Sequence, residues 1–507
     1  MDPNPRQLAP VLRVDELRAL EARYAGASLM ERAGLAAAET IRKLLAQRAG
    51  GVVILAGPGN NGGDGFVVAR WLRSWFYDVR VVFPGDTGAL PTDAAAAFTA
   101  FAAAGGTTLP TPPQGRPALV VDALFGIGLA RPLAHEYATL VKWANSQQAV
   151  VVALDIPTGL HADTGTSGAT AIRATHTTTF LALKPGLLTG DGPDLCGEVS
   201  VHPLDVDAHD AGGGRALDWP TLAATSTGPL GRSRRSVHKG SFGTLAIVGG
   251  TNGMVGAALI AARAAMRSGA GKVRVGLVAR ERPAFDPSTP ELMLTDAGTL
   301  IDQEADAWVI GCGLGSDQTA EEVVTRAIGR EAPLVLDADA LNLIAAHPSL
   351  AVAASERKAP TLATPHPAEA ARLLGTTVAE VQGDRLAAAH AIAQKLRAHV
   401  VLKGSGSVLA HPDGSWDINT SGNAGLAFAG SGDALSGMLG AFVAQRIPAK
   451  DALRLAVCLH GAAADALVAR GIGPIGVDTG LLTDAARSLL NDVARKALAD
   501  DLRRPGG

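Results

Sequence analysis

Val52-Val53-Ile54-Leu55-Ala56-Gly57-Pro58-Gly59-Asn60-Asn61-Gly62-Gly63-Asp64-Gly65 decides the fold. Its first five residues are apolar and mostly β-branched, which reads as a strand buried on both faces. A glycine-rich turn follows, and Phe66 to Trp75 then reads as a helix. Strand, glycine loop, helix is the layout that aims unpaired helix N–H groups at a phosphate. Gly57, Gly59 and Gly62 fall on the dinucleotide-binding spacing. That spacing is weak alone, and the acid expected about 20 residues later is met only loosely, by Asp86. The polar insert is the unusual part. Asn60, Asn61 and Asp64 bring side-chain oxygens into a loop where an ordinary Rossmann turn has small apolar residues. Such oxygens suit a sugar hydroxyl or a hard cation; a polar surface turn is the plainer alternative.

The pattern recurs on either side. Val79 to Phe83, Ala118 to Asp122, Val150 to Asp155 and Thr177 to Ala182 read as strands, and Val14 to Lys43 and Ala94 to Ala104 as helices. In open α/β sheets ligands bind beyond the carboxyl ends of the strands. Asn61, Asp122, and Asp155 with Thr158 stand at three such ends, and Gly126 to Pro132 forms a loop beside them. For any one of these residues, turn or capping duty is the simpler explanation.

Between Asp205 and Ser236 the chain turns rich in glycine, proline and arginine, which places a domain boundary near residue 220 and predicts domains over 1–220 and 221–507. The second half again alternates strands and helices, with glycine loops at Gly249-Gly250 and Gly311-Cys312-Gly313-Leu314-Gly315. Acids follow the strand ending at Leu336, His366 sits between two prolines, and Lys403-Gly404-Ser405-Gly406-Ser407 suits a diphosphate. Last comes Gly430-Ser431-Gly432-Asp433, opening an apolar helix over Ala434 to Val443. Free N–H groups there suit a phosphate, and Asp433 could take a proton from a neighbouring hydroxyl. The bland reading is a capping aspartate. No Walker-type loop occurs, which argues against a P-loop NTPase.

Composition sets the outer limits. The chain has 507 residues, too many for one ordinary core. A formal net charge of −3 gives no general attraction to nucleic acid or anionic membrane. Cys196, Cys312 and Cys458 lie far apart without metal-ligand spacing, as expected for buried thiols in a reducing cytoplasm. The first residues lack the apolar core of a signal peptide, and no uninterrupted apolar run reads as a membrane span.

Taken together, several motifs in a fixed order resemble the bacterial bifunctional NAD(P)H-hydrate repair family, an NAD(P)HX epimerase fused to an ADP-dependent dehydratase. In the first half these are Leu29-Met30-Glu31-Arg32-Ala33-Gly34, Asn60 to Gly65 and Asp155-Ile156-Pro157-Thr158-Gly159-Leu160. In the second they are His238-Lys239-Gly240, Thr364-Pro365-His366-Pro367, Lys403-Gly404 and Gly430 to Asp433. The resemblance implies a Rossmann-like three-layer domain followed by a ribokinase-like α/β domain. It implies that Asn60, Asn61, Gly62, Gly63, Asp64, Gly126, Ile127, Gly128, Leu129, Ala130, Arg131, Pro132 and Asp155 contact the hydrated nucleotide. Asn61, Asp122 and Thr158 would hold K⁺. In the second half, Lys403, Gly404, Ser405, Gly406, Ser407 and Gly432 would bind ADP with Mg²⁺. Ala257, Gly315, His366 and Asp433 would line the hydrate site. Asp433 and Asp155 would be the catalytic groups, the substrates NADHX, NADPHX and ADP, the setting cytoplasmic, and the assembly a homo-oligomer. Two positions depart from the family pattern: Cys312, where proline is common, and Ser431, where other small residues are frequent. A ribokinase-like vitamin or sugar kinase with an appended nucleotide-binding domain is the competing enzyme; a nucleotide-sensing or partner-binding first half is the non-enzymatic alternative.

Overall fold

A computed structural model describes residues 7–46, 48–129, 132–226, 230, 232 and 235–503. The chain divides into two compact units between Gly214 and Arg215.

The first unit is built on strands β1 (Val52–Ala56), β2 (Val79–Val82), β3 (Thr108–Leu109), β4 (Leu119–Ala123), β5 (Val150–Leu154), β6 (His176–Phe180) and β7 (Glu198–His202). Their spatial order is β3-β2-β1-β4-β5-β6-β7, with every neighbour parallel. This is the doubly wound order, with its reversal between β1 and β4. Strand periodicity of two sends alternate residues to opposite faces. Val52, Ile54, Leu119 and Val121 join Phe66 and Phe101 in one core. Val53, Leu55, Val120 and Val151 join Tyr137, Leu140 and Val141 in another. Helices cover both faces: α2 (Leu29–Leu45), α3 (Asn60–Ser74) and α4 (Thr92–Ala103) on the first, α5 (His135–Ser146) on the second.

Two expectations change. The helix expected over Val14 to Lys43 is broken into α1 (Val14–Arg23) and α2. Gly26 and Ser28 between them have φ of +93° and +53°, left-handed values that end a helix. The helix after β1 begins at Asn60, six residues before Phe66, because its glycines allow it. A Cβ on Gly62 would lie 1.9 Å from the Gly57 carbonyl oxygen, and one on Gly57 would lie 1.7 Å from that of Leu124. Only bare backbone lets the first turn settle this close to the strand ends.

In the second unit β8 (Thr244–Gly249), β9 (Lys272–Leu277), β10 (Met293–Asp296), β11 (Ala307–Ile310), β12 (Leu334–Leu336), β13 (Thr361–Ala363), β14 (His399–Leu402), β15 (Val408–Ala410) and β16 (Trp416–Asn419) lie in the order β16-β15-β14-β13-β12-β11-β8-β9-β10. Strands β8 to β14 pair in parallel, and β15 and β16 are antiparallel additions. The helices that matter for the site are α6 (Val255–Arg267), α7 (Pro367–Leu374), α8 (Arg385–Leu396), α9 (Ser431–Ala444) and α10 (Ala449–Ala469). From Ala434 to Ala444 every residue of α9 is buried. Gly437 presses on the Ala261 carbonyl of α6 and Gly440 on Val309 of β11, where a Cβ would come within 2.0 and 2.4 Å respectively. Such packing fixes the mouth of α9 over the ends of the parallel strands. By length and composition alone helix α10 could cross a membrane, although Arg454, His460 and Asp465 interrupt its apolar run. Its Leu453, Leu455, Ala456, Leu459 and Leu467 are instead buried in the unit's core.

Candidate active sites

At the β1/β4 reversal a cleft of about 870 Å³ opens, lined by Glu21, Met30, Asn61, Asp64, Gly126 and Asp155 among others. Asp122 closes β4 and is fully buried. Its carboxylate accepts from the Thr158 N–H and hydroxyl, both at 2.8 Å, and from the Leu124 N–H at 3.2 Å. Burial pushes its pKa up to about 6 against these donors. Asn61, in the first turn of α3, is buried, and neither its amide nitrogen nor its amide oxygen has a partner. An unsatisfied buried amide costs of the order of 1–3 kcal/mol, which a ligand would relieve.

Asp155 follows β5 with φ +66°, an unusual conformation for a residue with a side chain. One carboxylate oxygen, Oδ1, accepts from the ammonium of Lys184, a residue with no solvent exposure. Lys184 also donates to the Thr179 hydroxyl at 2.7 Å and the Phe180 carbonyl at 2.9 Å. The other oxygen, Oδ2, faces Gly126, where a Cβ would sit 3.3 Å away. Burial, with Asp155 and Glu21 nearby, holds the Asp64 carboxyl well above its ordinary range, while Lys184 works in the opposite sense. Gly62 and Gly63 are buried, Asn60 and Gly128 are exposed, Ile127 and Leu129 are half-buried, and Asn60, Ile127, Gly128 and Leu129 all line the cleft. Ala130 and Arg131 lie outside the described residues, and Pro132 is exposed.

The second site gathers the ends of β8, β11, β12, β13 and β14 around the mouth of α9. Asp433 lies in the first turn of that helix, whose N-cap is Gly430 at φ +95°. The capping reading fails: Gly430 is the N-cap, no side chain caps the helix by a hydrogen bond, and the Asp433 carboxylate lies within 4.8 Å of the Cys312 thiol. Burial first, then the Asp337 charge, push its pKa up to about 6, against the pull of the thiol and Lys403. Ligand atoms of Cys312, Asp337 and Asp433 all lie within 4.8 Å of one another. Asp337 accepts from Thr364 and Ser436 at 2.7 Å and from Lys403 at 3.1 Å. The Lys403 ammonium lies 3.3 Å from where Gly432 would carry a Cβ, so a phosphate at the helix mouth would meet ammonium and N–H groups together. Gly404 has φ +143° and backs onto the Arg385 guanidinium, while the Gly404 N–H and the Ser407 hydroxyl close the loop on itself. Gly315 donates its N–H to Asp339 at 2.9 Å, and Ala257 stands 3.1 Å from where Gly313 would place a Cβ. His366 caps α7: Nδ1 accepts from the Ala368 and Glu369 N–H groups, and Nε2 faces Glu369 Oε1 at 3.2 Å. With both nitrogens engaged, it can offer a ligand only its exposed ring.

Residues 26–186 match the YjeF-related protein N-terminus family, and residues 245–486 match the NAD(P)H-hydrate dehydratase family. A bifunctional NAD(P)H-hydrate repair enzyme of Escherichia coli (strain K12) is 40% identical over 452 residues, covering 87% of this chain and 85% of that protein. The chain belongs to the bifunctional NAD(P)H-hydrate repair enzymes. Similar repair enzymes occur in Leishmania major, 38% identical over 89% of this chain and 87% of that protein, and in Coxiella burnetii, 36% identical over 90% and 93%. An ADP/ATP-dependent NAD(P)H-hydrate dehydratase from Bacillus subtilis, co-crystallised with ATP/Mg²⁺, is 30% identical and covers 55% of this chain and 99% of that one, with a TM-score of 0.47. The first unit thus holds the YjeF-related region of a repair enzyme and the second its NAD(P)H-hydrate dehydratase region.

In this repair enzyme the sequence marked Asp337 only as one of the acids after β12, without a role, and did not single out Lys184 or Arg385 as parts of the sites. Lys184 had one visible signal, a lysine straight after an apolar strand and before Pro185-Gly186. Arg385 had none, because a buried arginine in a helix looks like an exposed one until the fold covers it.

Proposed function

We propose that the first unit interconverts the R and S hydrates of NADH and NADPH, and that the second removes water from the S hydrate at the expense of ADP. The observation that carries the second reaction is the Asp433 carboxylate, poised near neutral pH at a helix mouth beside Lys403.

Hydration at C6 of the reduced nicotinamide ring leaves a hydroxyl that departs poorly. Asp433 would take its proton while the oxygen attacks the terminal phosphoryl of ADP, releasing AMP. The ring nitrogen would then expel phosphate, and loss of the C5 proton would restore the reduced ring. Lys403 and the N–H groups of Ser431 to Asp433 would steady charge on the transferring group. Mg²⁺ would be held mainly by the nucleotide's phosphates and water. The cluster here offers it little more, because Asp337 already accepts three hydrogen bonds and Cys312 is a soft donor. Bound there, the ion would neutralise phosphate charge.

In the first unit Asp155 would serve as the acid/base of epimerisation. Asn61, Asp122 and Thr158 would hold K⁺; the unpartnered Asn61 amide supports that donor set. K⁺ would supply a fixed positive charge at the nucleotide. Three buried, unpaired cysteines fit a cytoplasmic enzyme.

The deciding experiment incubates purified protein with mixed hydrates and ADP or ATP, then identifies every product. Reduced nicotinamide nucleotide, AMP and phosphate are expected with ADP. A stable phosphoester would replace this reading with the vitamin or sugar kinase.

A further inference from the structure

We propose that Lys184 is the positioning residue of the epimerase site: it holds Asp155 by Oδ1 so that Oδ2 alone carries the proton. This rests on Asp155 being the acid/base group.

An ammonium has three hydrogens. All three of Lys184's point to named partners: Asp155 Oδ1, the Thr179 hydroxyl and the Phe180 carbonyl. None is left for a substrate, so Lys184 is not itself a proton donor to the hydrate. What it does is fix Asp155. Thr179, already tied to Lys184, also donates to Asp155 Oδ1 at 3.3 Å. The backbone contributes as well, since the Asp155 N–H donates to Thr178 at 2.7 Å and its φ of +66° turns the side chain off the sheet end. Together these contacts leave one oxygen. Oδ2 faces Gly126, and the missing side chain there keeps that oxygen open to the cleft.

Asp155, half-buried with its side chain 14% exposed, has two other acids near it, Glu21 and Asp64, and a cation in hydrogen-bond contact. Lys184 is that cation. Asp155 Oδ2 would take the hydroxyl proton of the hydrate as the C6–O bond becomes a carbonyl and the C6–N1 bond breaks, its electron pair passing to the ring nitrogen and the conjugated carboxamide. N1 would then re-form its bond on the other face of C6 and the oxygen would take the proton back, so no proton is gained or lost overall.

The test uses the full chain, pure R or S hydrate with K⁺ but no ADP, and chromatography of R/S exchange. Lys184→Met should lower kcat on the order of a hundredfold, the scale of lost acid/base assistance, with KM for the hydrate little changed. Lys184→Arg should restore part of the rate. Gly126→Ala leaves Lys184 in place but sets a methyl against Oδ2, and should also lower kcat. It serves as the second variant should Lys184→Met prove poorly folded by circular dichroism. Wild-type exchange in Lys184→Met, or in Gly126→Ala, would overturn the proposal. Loss confined to KM would also overturn it, because that marks a substrate contact rather than a positioned base. If the unaltered enzyme exchanges nothing, epimerisation itself falls, an outcome distinct from these.

Discussion

Each unit sets an aspartate and a lysine at the carboxyl end of a parallel sheet, but the lysines are used differently. In the first, Lys184 binds Asp155, the proposed acid/base group, directly. In the second, the Lys403 ammonium goes to Asp337, and Asp433 is left with burial, a thiol and the repulsion of Asp337. The second arrangement lifts a carboxyl's pKa towards neutrality, which suits a base that must pick up a proton from an alcohol. The first instead ties one oxygen of its carboxylate to an ammonium, with Glu21 and Asp64 nearby. Two sheets with the same strand-end architecture thus direct their lysines differently, one to Asp155, the aspartate open to the cleft, and one to Asp337, the neighbour of Asp433.

The sharpest break of this contrast is Asp433→Asn. It should cut ADP-dependent recovery of reduced-nicotinamide absorbance on the order of a thousandfold and leave R/S exchange unchanged; near-normal recovery removes Asp433 as the base. Asp155→Asn should do the reverse, slowing exchange on the order of a hundredfold while S-hydrate clearance continues. Chromatography of the residual R hydrate checks it. Lys403→Met should raise KM for ADP about tenfold, the scale of one charged contact to phosphate, with epimerase kinetics untouched. Asn61→Leu should raise the K⁺ concentration for half-maximal exchange roughly severalfold, read from a K⁺ titration at saturating hydrate.

The smallest effect concerns pH. A carboxylate base works only when deprotonated, so dehydratase kcat/KM should fall as pH drops through about 6, the range to which Asp433 is shifted. A thiol donor stabilises the charged carboxylate, so Cys312→Ala should move that acid limb upward by less than about one pH unit. A limb that stays put would show that the thiol does not tune Asp433.

Much of both folds was legible because buried parallel strands are written as unbroken apolar runs, such as Val52 to Ala56 and Val150 to Leu154. Glycine loops between those runs and helices marked the strand ends where ligands sit. Helix limits were less readable. Ser28 and Gly26 break a pattern that looks continuous, and Asn60 to Gly65 read as a loop although its glycines let the helix start early. Local propensity sees a glycine as a breaker; only the neighbouring Gly57 and Leu124 carbonyls show why it is needed inside the first turn.

By itself, the order of residues settled two α/β units, the strand-end acids, the glycine-rich helix mouth at Asp433 and the family that shares them, since periodicity and loop chemistry are local properties of the chain. Tertiary structure alone decided which lysine meets which aspartate. Lys184 reaches Asp155 across 29 positions and Lys403 reaches Asp337 across 66. Buried charges are governed by what lies within a few ångströms in space, and sequence spacing carries no record of that.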